Sequence, residues 1–363
     1  AYTVNSSEMV GGLGIQSEHI AFISFVTSIG MAAFSPFFYA LVSVRRQKMM
    51  SLVGFSLLAV QSYICANTDS LFILALNSLI MGFVRQTLLM CNLFTLIKYG
   101  FGIEATRNVT PGNEPTDEAG WDALDTEKKA SQPIIYFFFM LLGQIGTWIT
   151  AWFAYNYQWQ MVYYAMLGAI LVALLITLVC MPYNPYPTKR CPLSFSKFGN
   201  VVVFCLMCCS FIYVMVYGKV YDWYDDSSIR WATVICVATT LLFIYLEKTR
   251  RSPYFILKAF KSRSIQGGIL LFIGLMVCNS SSMLVNIFVG VGMKTDQIQV
   301  AALGNWVLLG YFIGLVTILI LNSKGVHFKW FFALGFVLIA AASLFMYFEV
   351  QTAGMLERMK WPV

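Results

Sequence analysis

Charge is what this sequence has least of. Asp, Glu, Lys and Arg make up 11% of its 363 residues, against roughly 25% in an ordinary soluble domain. A chain so poor in charge lacks the polar surface to face water on all sides. Histidine is scarcer still, with His19 and His327 as the only two. The chain offers no His/Cys metal spacing, no Gly-x-Ser-x-Gly turn, no phosphate loop and no paired carboxylates inside an apolar run. Neither an enzyme nor a cofactor or metal is therefore expected. Nine cysteines are present, mostly within apolar runs (Cys205, Cys208 and Cys209 among them), where they fit small hydrophobic packers better than a disulfide framework. The alternating ten-residue pattern of an outer-membrane barrel is missing.

What the sequence has in abundance is apolar length. Hydrophobic residues make up 59% and aromatics 16%, and the mean hydropathy is +0.71. Runs near twenty residues, the length that crosses a bilayer as a helix, recur at 20–43, 49–66, 71–97, 133–155, 160–181, 199–217, 229–246, 265–290, 299–321 and 328–348. The expected fold is all-α and polytopic. The connections alternate in charge. Those after the first, third, fifth, seventh and ninth runs hold eighteen Lys and Arg, including Arg45, Arg46 and Lys48, whereas the opposite side holds five. The basic set belongs in the cytoplasm, so the net charge of +7 reflects topology, and no nucleic-acid partner is expected. Residues 1–17 then lie outside, which predicts a further helix before Ala1 and a chain that is part of a larger protein. Residues 99–132, rich in acid and proline, read as a mobile cytoplasmic insert with a short helix near 117–129. Residues 182–198 read as a Pro-rich linker.

One arginine breaks the apolar pattern. Arg85 sits inside NSLIMGFVRQTLLMCNLFT (77–95), the only formal charge deep in an expected span. A charge there is costly and points to a water-filled cavity or a partner. At about 100° per residue, Arg85 falls about 80°, Asn92 about 60° and Thr95 about 0° from Asn77, so the four share one stripe. The competing reading is an arginine that pins neighbouring helices. Asn279, Ser282 and Asn286 form a second stripe at i, i+3 and i+7, with interhelical hydrogen bonding as the alternative. Gln144 with Thr147, and Asn305, are further candidates to line a cavity. Gly143, Gly146 and Gly168 are expected to permit close helix packing. Trp148, Trp152, Tyr155, Trp159, Tyr163 and Tyr164 are expected to form an interfacial aromatic belt.

Several stretches resemble the major facilitator superfamily, in particular its fourteen-helix drug:proton antiporter branch. The basic loop YALVSVRRQKMM (39–50) is similar to the signature loop between that family's second and third helices, and Arg85 to its fourth-helix arginine. GQIGTWITAWFAYNYQWQMVYY (143–164) resembles the fifth helix, outer turn and sixth helix. The pair 199–217 and 229–246 around GKVYDWYDDSS resembles the two extra helices between the halves. SPYFILKAFKSRSIQGGIL (252–270) resembles the entry to the seventh core helix, and LNSKGVHFKW (321–330) the recurrence of the signature loop.

The resemblance implies helices two to eleven of fourteen, in two bundles truncated at both ends. An N-terminal bundle spans 1–181, a linker 182–198, two extra helices 199–247, and the start of a C-terminal bundle 248–363. It implies a secondary active transporter in a plasma membrane, such as a bacterial inner membrane, exporting drugs or amphipathic small molecules against protons. Arg85 would be the charge partner in coupling. Its carboxylate would lie before Ala1 or beyond Val363. Asn77, Asn92, Gln144, Asn279, Ser282, Asn286 and Asn305 would line the cavity, and Arg45, Arg46 and Lys48 would latch the cytoplasmic side to acidic groups or lipid headgroups. The alternatives are an uptake carrier for an organic anion or metabolite, and a polytopic lipid-modifying enzyme or structural membrane protein.

Overall fold

The structure is a computed structural model and describes residues 16–34, 37, 47–95, 118–181, 195–249, 261–287, 297–323 and 328–351. Among them every regular element is helical. Ten α-helices follow the ten apolar runs: α1 (Ser17–Ala33), α2 (Gln47–Asn67), α3 (Leu71–Thr95), α4 (Glu118–Asn156), α5 (Trp159–Cys180), α6 (Phe195–Tyr217), α7 (Ser227–Thr249), α8 (Arg263–Ile287), α9 (Gln297–Ser323) and α10 (Phe328–Gln351). Seven of these, α2 to α7 and α9, are long and apolar enough to cross a membrane, as in a multi-pass membrane protein.

Two expected boundaries move. The first helix ends at Ala33 instead of reaching 43. Of the rest of the expected run to 43, only Phe34 and Phe37 lie among the described residues. The short helix expected near 117–129 is the start of α4, one continuous helix of 39 residues and about 58 Å at 1.5 Å per residue. Ala, Glu and Lys between 118 and 130 favour helix there, and the helix continues through Pro133. The rest of the insert and most of the 182–198 linker lie outside the described residues.

The chain divides into two compact units. In the first, formed by Ala1–Thr95 and Asn156–Ser262, the core joins α1, α2, α3 and α5 through Ile20, Ile23, Leu58, Leu74, Leu88 and Tyr163. The α1–α3 crossing brings backbone against backbone. A Cβ on Gly30 would meet Leu79 O at 2.0 Å, and one on Gly82 would meet Thr27 O at 2.0 Å. Only glycine fits on either side. The α2–α5 pair is fastened at both ends: Tyr164 Oη donates to Asn67 Oδ1 at 2.9 Å and Lys48 Nζ to Leu178 O at 2.8 Å. The hairpin of α6 and α7 adds a smaller core of Val214, Tyr217 and Ile229, packed against Phe22 of α1. Its turn places Asp222 and Trp223 at positive φ (49° and 56°), and Gly218 leaves room for the Trp223 ring to fold back.

The second unit, Leu96–Tyr155 with Arg263–Val363, contains α4, α8, α9 and α10. Aromatic pairs run along the α4–α9 seam, Tyr136 with Tyr311 (centroids 6.3 Å) and Phe137 with Phe312 (5.8 Å).

Among the described residues the expected packing glycines do not touch a neighbouring helix. A Cβ on Gly143, Gly146 or Gly168 would find nothing within 4 Å. The aromatic belt is also divided. Trp159 and Tyr163 lie in the first unit's core, whereas Trp152 and Tyr155 are exposed. Cys65 and Cys91 are buried packers as expected, and no described cysteine forms a disulfide.

Candidate functional site

Helix α3 carries Arg85 on a firmly held backbone. One side of the helix is fixed to α1 through Gly82, and another to α2, where Leu88 presses on Gly54. Arg85 falls between these seams, about 60° round the helix from each of Gly82 and Leu88. Its neighbours Met81 and Val84 are buried, while Arg85 itself is exposed within its unit and forms no hydrogen bond or ion pair with any described residue. In a bilayer such a guanidinium has to meet water, a ligand or a counter-charge. The geometry presents a cation without spending it on the packing.

Asn77 behaves differently from its expected neighbour. It is 6% exposed, and its Nδ2 donates to Gln61 O at 3.0 Å and to Cys65 Sγ at 3.1 Å. The expectation that it lines a cavity beside Arg85 is therefore corrected: its amide fastens α2 to α3. Angular separation explains this, because the α2 seam takes the Asn77 edge of the stripe and leaves the Arg85 edge open. Asn92, between them, is half-buried.

In the second unit the structure brings together two residues that the sequence had placed 161 positions apart. Gln144 Nε2 donates to Ala301 O at 2.9 Å and to Asn305 Oδ1 at 3.4 Å, and Trp148 Nε1 donates to the same Oδ1 at 2.9 Å. The Gln144 amide lies against Gly304, where a Cβ would approach it to 2.4 Å. Trp148 thus belongs to this polar group. Thr147, expected to act with Gln144, turns back to Gly143 O at 3.1 Å. The i, i+4 spacing of Gln144 and Trp148 was the signal available for this pair.

Other expected site residues are placed only in part. Asn279, Ser282 and Asn286 lie on α8, but their side chains are outside the described residues, as are Arg45 and Arg46. Lys48 Nζ donates to the Leu178 carbonyl in the last turn of α5, where a cation complements the helix dipole.

Two features escaped sequence reasoning. Glu247, placed just beyond an expected span, lies within the membrane-length helix Ser227–Thr249 and is 5% exposed. It accepts a hydrogen bond from Asn200 Nδ2 at 3.0 Å, and Asn200 is fully buried. A shallow open cleft also lies between α1, α3 and α6, lined by His19, Phe22, Leu71, Phe72 and Tyr217. It is roughly 15 Å along α3 from Arg85, at ten residues' distance. His19 Nδ1 and Tyr217 Oη are hydrogen-bonded to each other there, so the cleft is essentially apolar. Among the described residues no three His, Cys, Asp or Glu side chains gather as metal ligands.

No protein-family model matches the chain, and no curated protein matches it in sequence.

Proposed function

We propose that this protein is a secondary active transporter of the major facilitator type, moving a small organic compound by alternating access of two helical bundles. The observation that carries the reading is Arg85: a permanent cation on a membrane-length helix, exposed between two packed seams, with no described partner. A structural arginine would be tied to a neighbouring carbonyl or carboxylate; this one is left for a mobile ligand or a coupling group. Proton-coupled efflux of an amphipathic compound is the primary assignment. Glu247 adds a buried carboxylate in the same unit, which is the kind of group that such coupling uses.

The test is flux of ethidium in proteoliposomes under an imposed pH gradient. Wild-type protein is expected to drive ethidium against its gradient, and Arg85→Ala to abolish this while its elution profile and melting temperature stay unchanged. Undiminished transport by a folded Arg85→Ala protein would overturn the proposal. The absence of a described counter-charge also favours a second reading, in which Arg85 binds an organic anion for uptake. Benzoate entry that depends on Arg85 but not on the pH gradient would select it.

A further inference from the structure

The polar group on the α4–α9 seam has one feature that decides its chemistry: both amides have an orientation fixed by their partners. An indole N–H can only donate, so the atom of Asn305 that Trp148 meets at 2.9 Å has to be the carbonyl oxygen. A backbone carbonyl can only accept, so the atom of Gln144 that meets Ala301 O at 2.9 Å has to be the amide nitrogen. The opposite ends of both amides remain. The Asn305 Nδ2 group offers two donors and Gln144 Oε1 offers an acceptor, and neither meets a described partner. Asn305 is exposed and Gln144 and Trp148 are half-buried. All three lie on membrane-length helices, where an unused donor is costly unless it meets water or a ligand.

The surroundings narrow the ligand further. The segments Ile134–Asn156 and Ala301–Leu321 contain no Asp, Glu, Lys or Arg. A charged ligand would find no counter-ion on these two helices, so desolvation favours a neutral one. The free donor and acceptor match the edge of an amide, lactam, imide or urea, which presents one carbonyl and one N–H. The half-buried Trp148 indole beside them suits a flat or aromatic body.

We infer that Gln144, Trp148 and Asn305 form a binding subsite for a neutral planar compound with an amide-type edge. Asn305 Nδ2 donates to the ligand carbonyl and Gln144 Oε1 accepts from the ligand N–H. The inference rests on the transporter reading for the purpose of the subsite, though not for binding itself. It also separates two tasks along the chain, a fixed charge at Arg85 and a neutral hydrogen-bonding edge at Asn305.

The experiment uses the full chain in lipid nanodiscs with benzamide as probe and ethylbenzene and benzoate as contrasts, read by saturation-transfer NMR against empty nanodiscs. Benzamide is expected to bind, and neither contrast compound to displace it. Asn305→Asp keeps the oxygen that accepts from Trp148 and removes the outward donor, so benzamide affinity is expected to fall at least tenfold with the fold intact. Trp148→Phe frees the Asn305 amide to flip and is expected to weaken binding several-fold. Equal affinity in wild type and Asn305→Asp, displacement by ethylbenzene, or no binding above empty nanodiscs would each overturn the subsite. Flux of labelled benzamide into proteoliposomes distinguishes this from failure of the transporter reading. Binding without flux leaves the subsite standing and counts against transport, whereas flux stopped by Arg85→Ala but untouched by Asn305→Asp does the reverse.

Discussion

Helices α2 and α3 of the first unit and α4 and α9 of the second are similarly apolar, yet they pack very differently. Of their membrane-length segments, 33% of α2 and 44% of α3 is buried, against 6% of α4 and 6% of α9. Composition does not separate these helices; the position of small residues does. Gly30 and Gly82 face each other, so two backbones touch, while Gly143 and Gly146 lie on an open side of α4. The polar residues follow the same division. In the first unit the amides at the seams are drawn inward, Asn77 to fasten two helices and Asn200 with Glu247 to join α6 to α7, while Arg85, in the gap between seams, stays exposed. In the second unit the Gln144–Asn305 group stays at the surface of its seam with unused hydrogen-bonding capacity. A polar side chain on a membrane helix is therefore a fastener where helices are close and a candidate contact for solute where they are open.

The largest test of this contrast replaces glycines. Gly82→Leu is expected to cost about 3 kcal/mol, since the new side chain has to displace the α1 backbone, whereas Gly146→Leu is expected to be neutral or to stabilise by up to about 1 kcal/mol, glycine being the weaker helix former. Unfolding in mixed micelles measures both, and equal effects would erase the distinction. Asparagines give a smaller version. Asn77→Leu is expected to destabilise by about 1–3 kcal/mol by leaving buried partners unmet, while Asn305→Leu is expected to cost under about 1 kcal/mol at its exposed position. A melting temperature lowered more by Asn305→Leu than by Asn77→Leu would reverse the roles assigned to the two seams.

Smaller still is Lys48→Met, which removes one end of the α2–α5 fastening. The expected loss is about 0.3–1 kcal/mol, the usual value of a cation at a helix C-terminus, and it should shrink in high salt. The least effect concerns Asp226, whose oxygen caps the first turn of α7 by accepting from the Ser228 N–H at 2.7 Å. That bond, with help from the Ser228 and Ser227 hydroxyls and Arg230, holds the Asp226 carboxyl below its ordinary range. A depressed folded-state pKa stabilises above the unfolded value near 3.8 and loses that contribution as pH falls through the folded value. Wild-type melting temperature is thus expected to drop more than that of Asp226→Asn between about pH 5 and about pH 3. Parallel curves would refute the cap's role in acid stability.

Much of the architecture was legible from the residues. The ten helices follow the ten apolar runs because a run near twenty residues without polar interruption has few other ways to satisfy its backbone in a bilayer. Arg85 was recognisable because its charge stands alone, and Gln144 and Asn305 because amides are uncommon in such runs. What remained hidden depended on partners. Asn77 and Arg85 share one stripe, but which edge of that stripe meets α2 cannot be read from α3. Ser78-x-x-x-Gly82 carries the small-residue spacing of a close crossing, but the glycines expected to serve that purpose were Gly143, Gly146 and Gly168. Glu247 stood a single position outside an expected span, and only its contact with Asn200 made it a buried acid.

The sequence by itself determined the helical class and the order of the helices, because both follow from local hydropathy and the demand of every backbone N–H and C=O for a partner, and it singled out Arg85 as a charge deep in an apolar run. The tertiary structure alone decided which glycine admits a neighbouring helix, which asparagine is a fastener, and which amides keep a free edge. Those outcomes depend on contacts between residues up to 161 positions apart, and periodicity along one helix carries no information about what faces it.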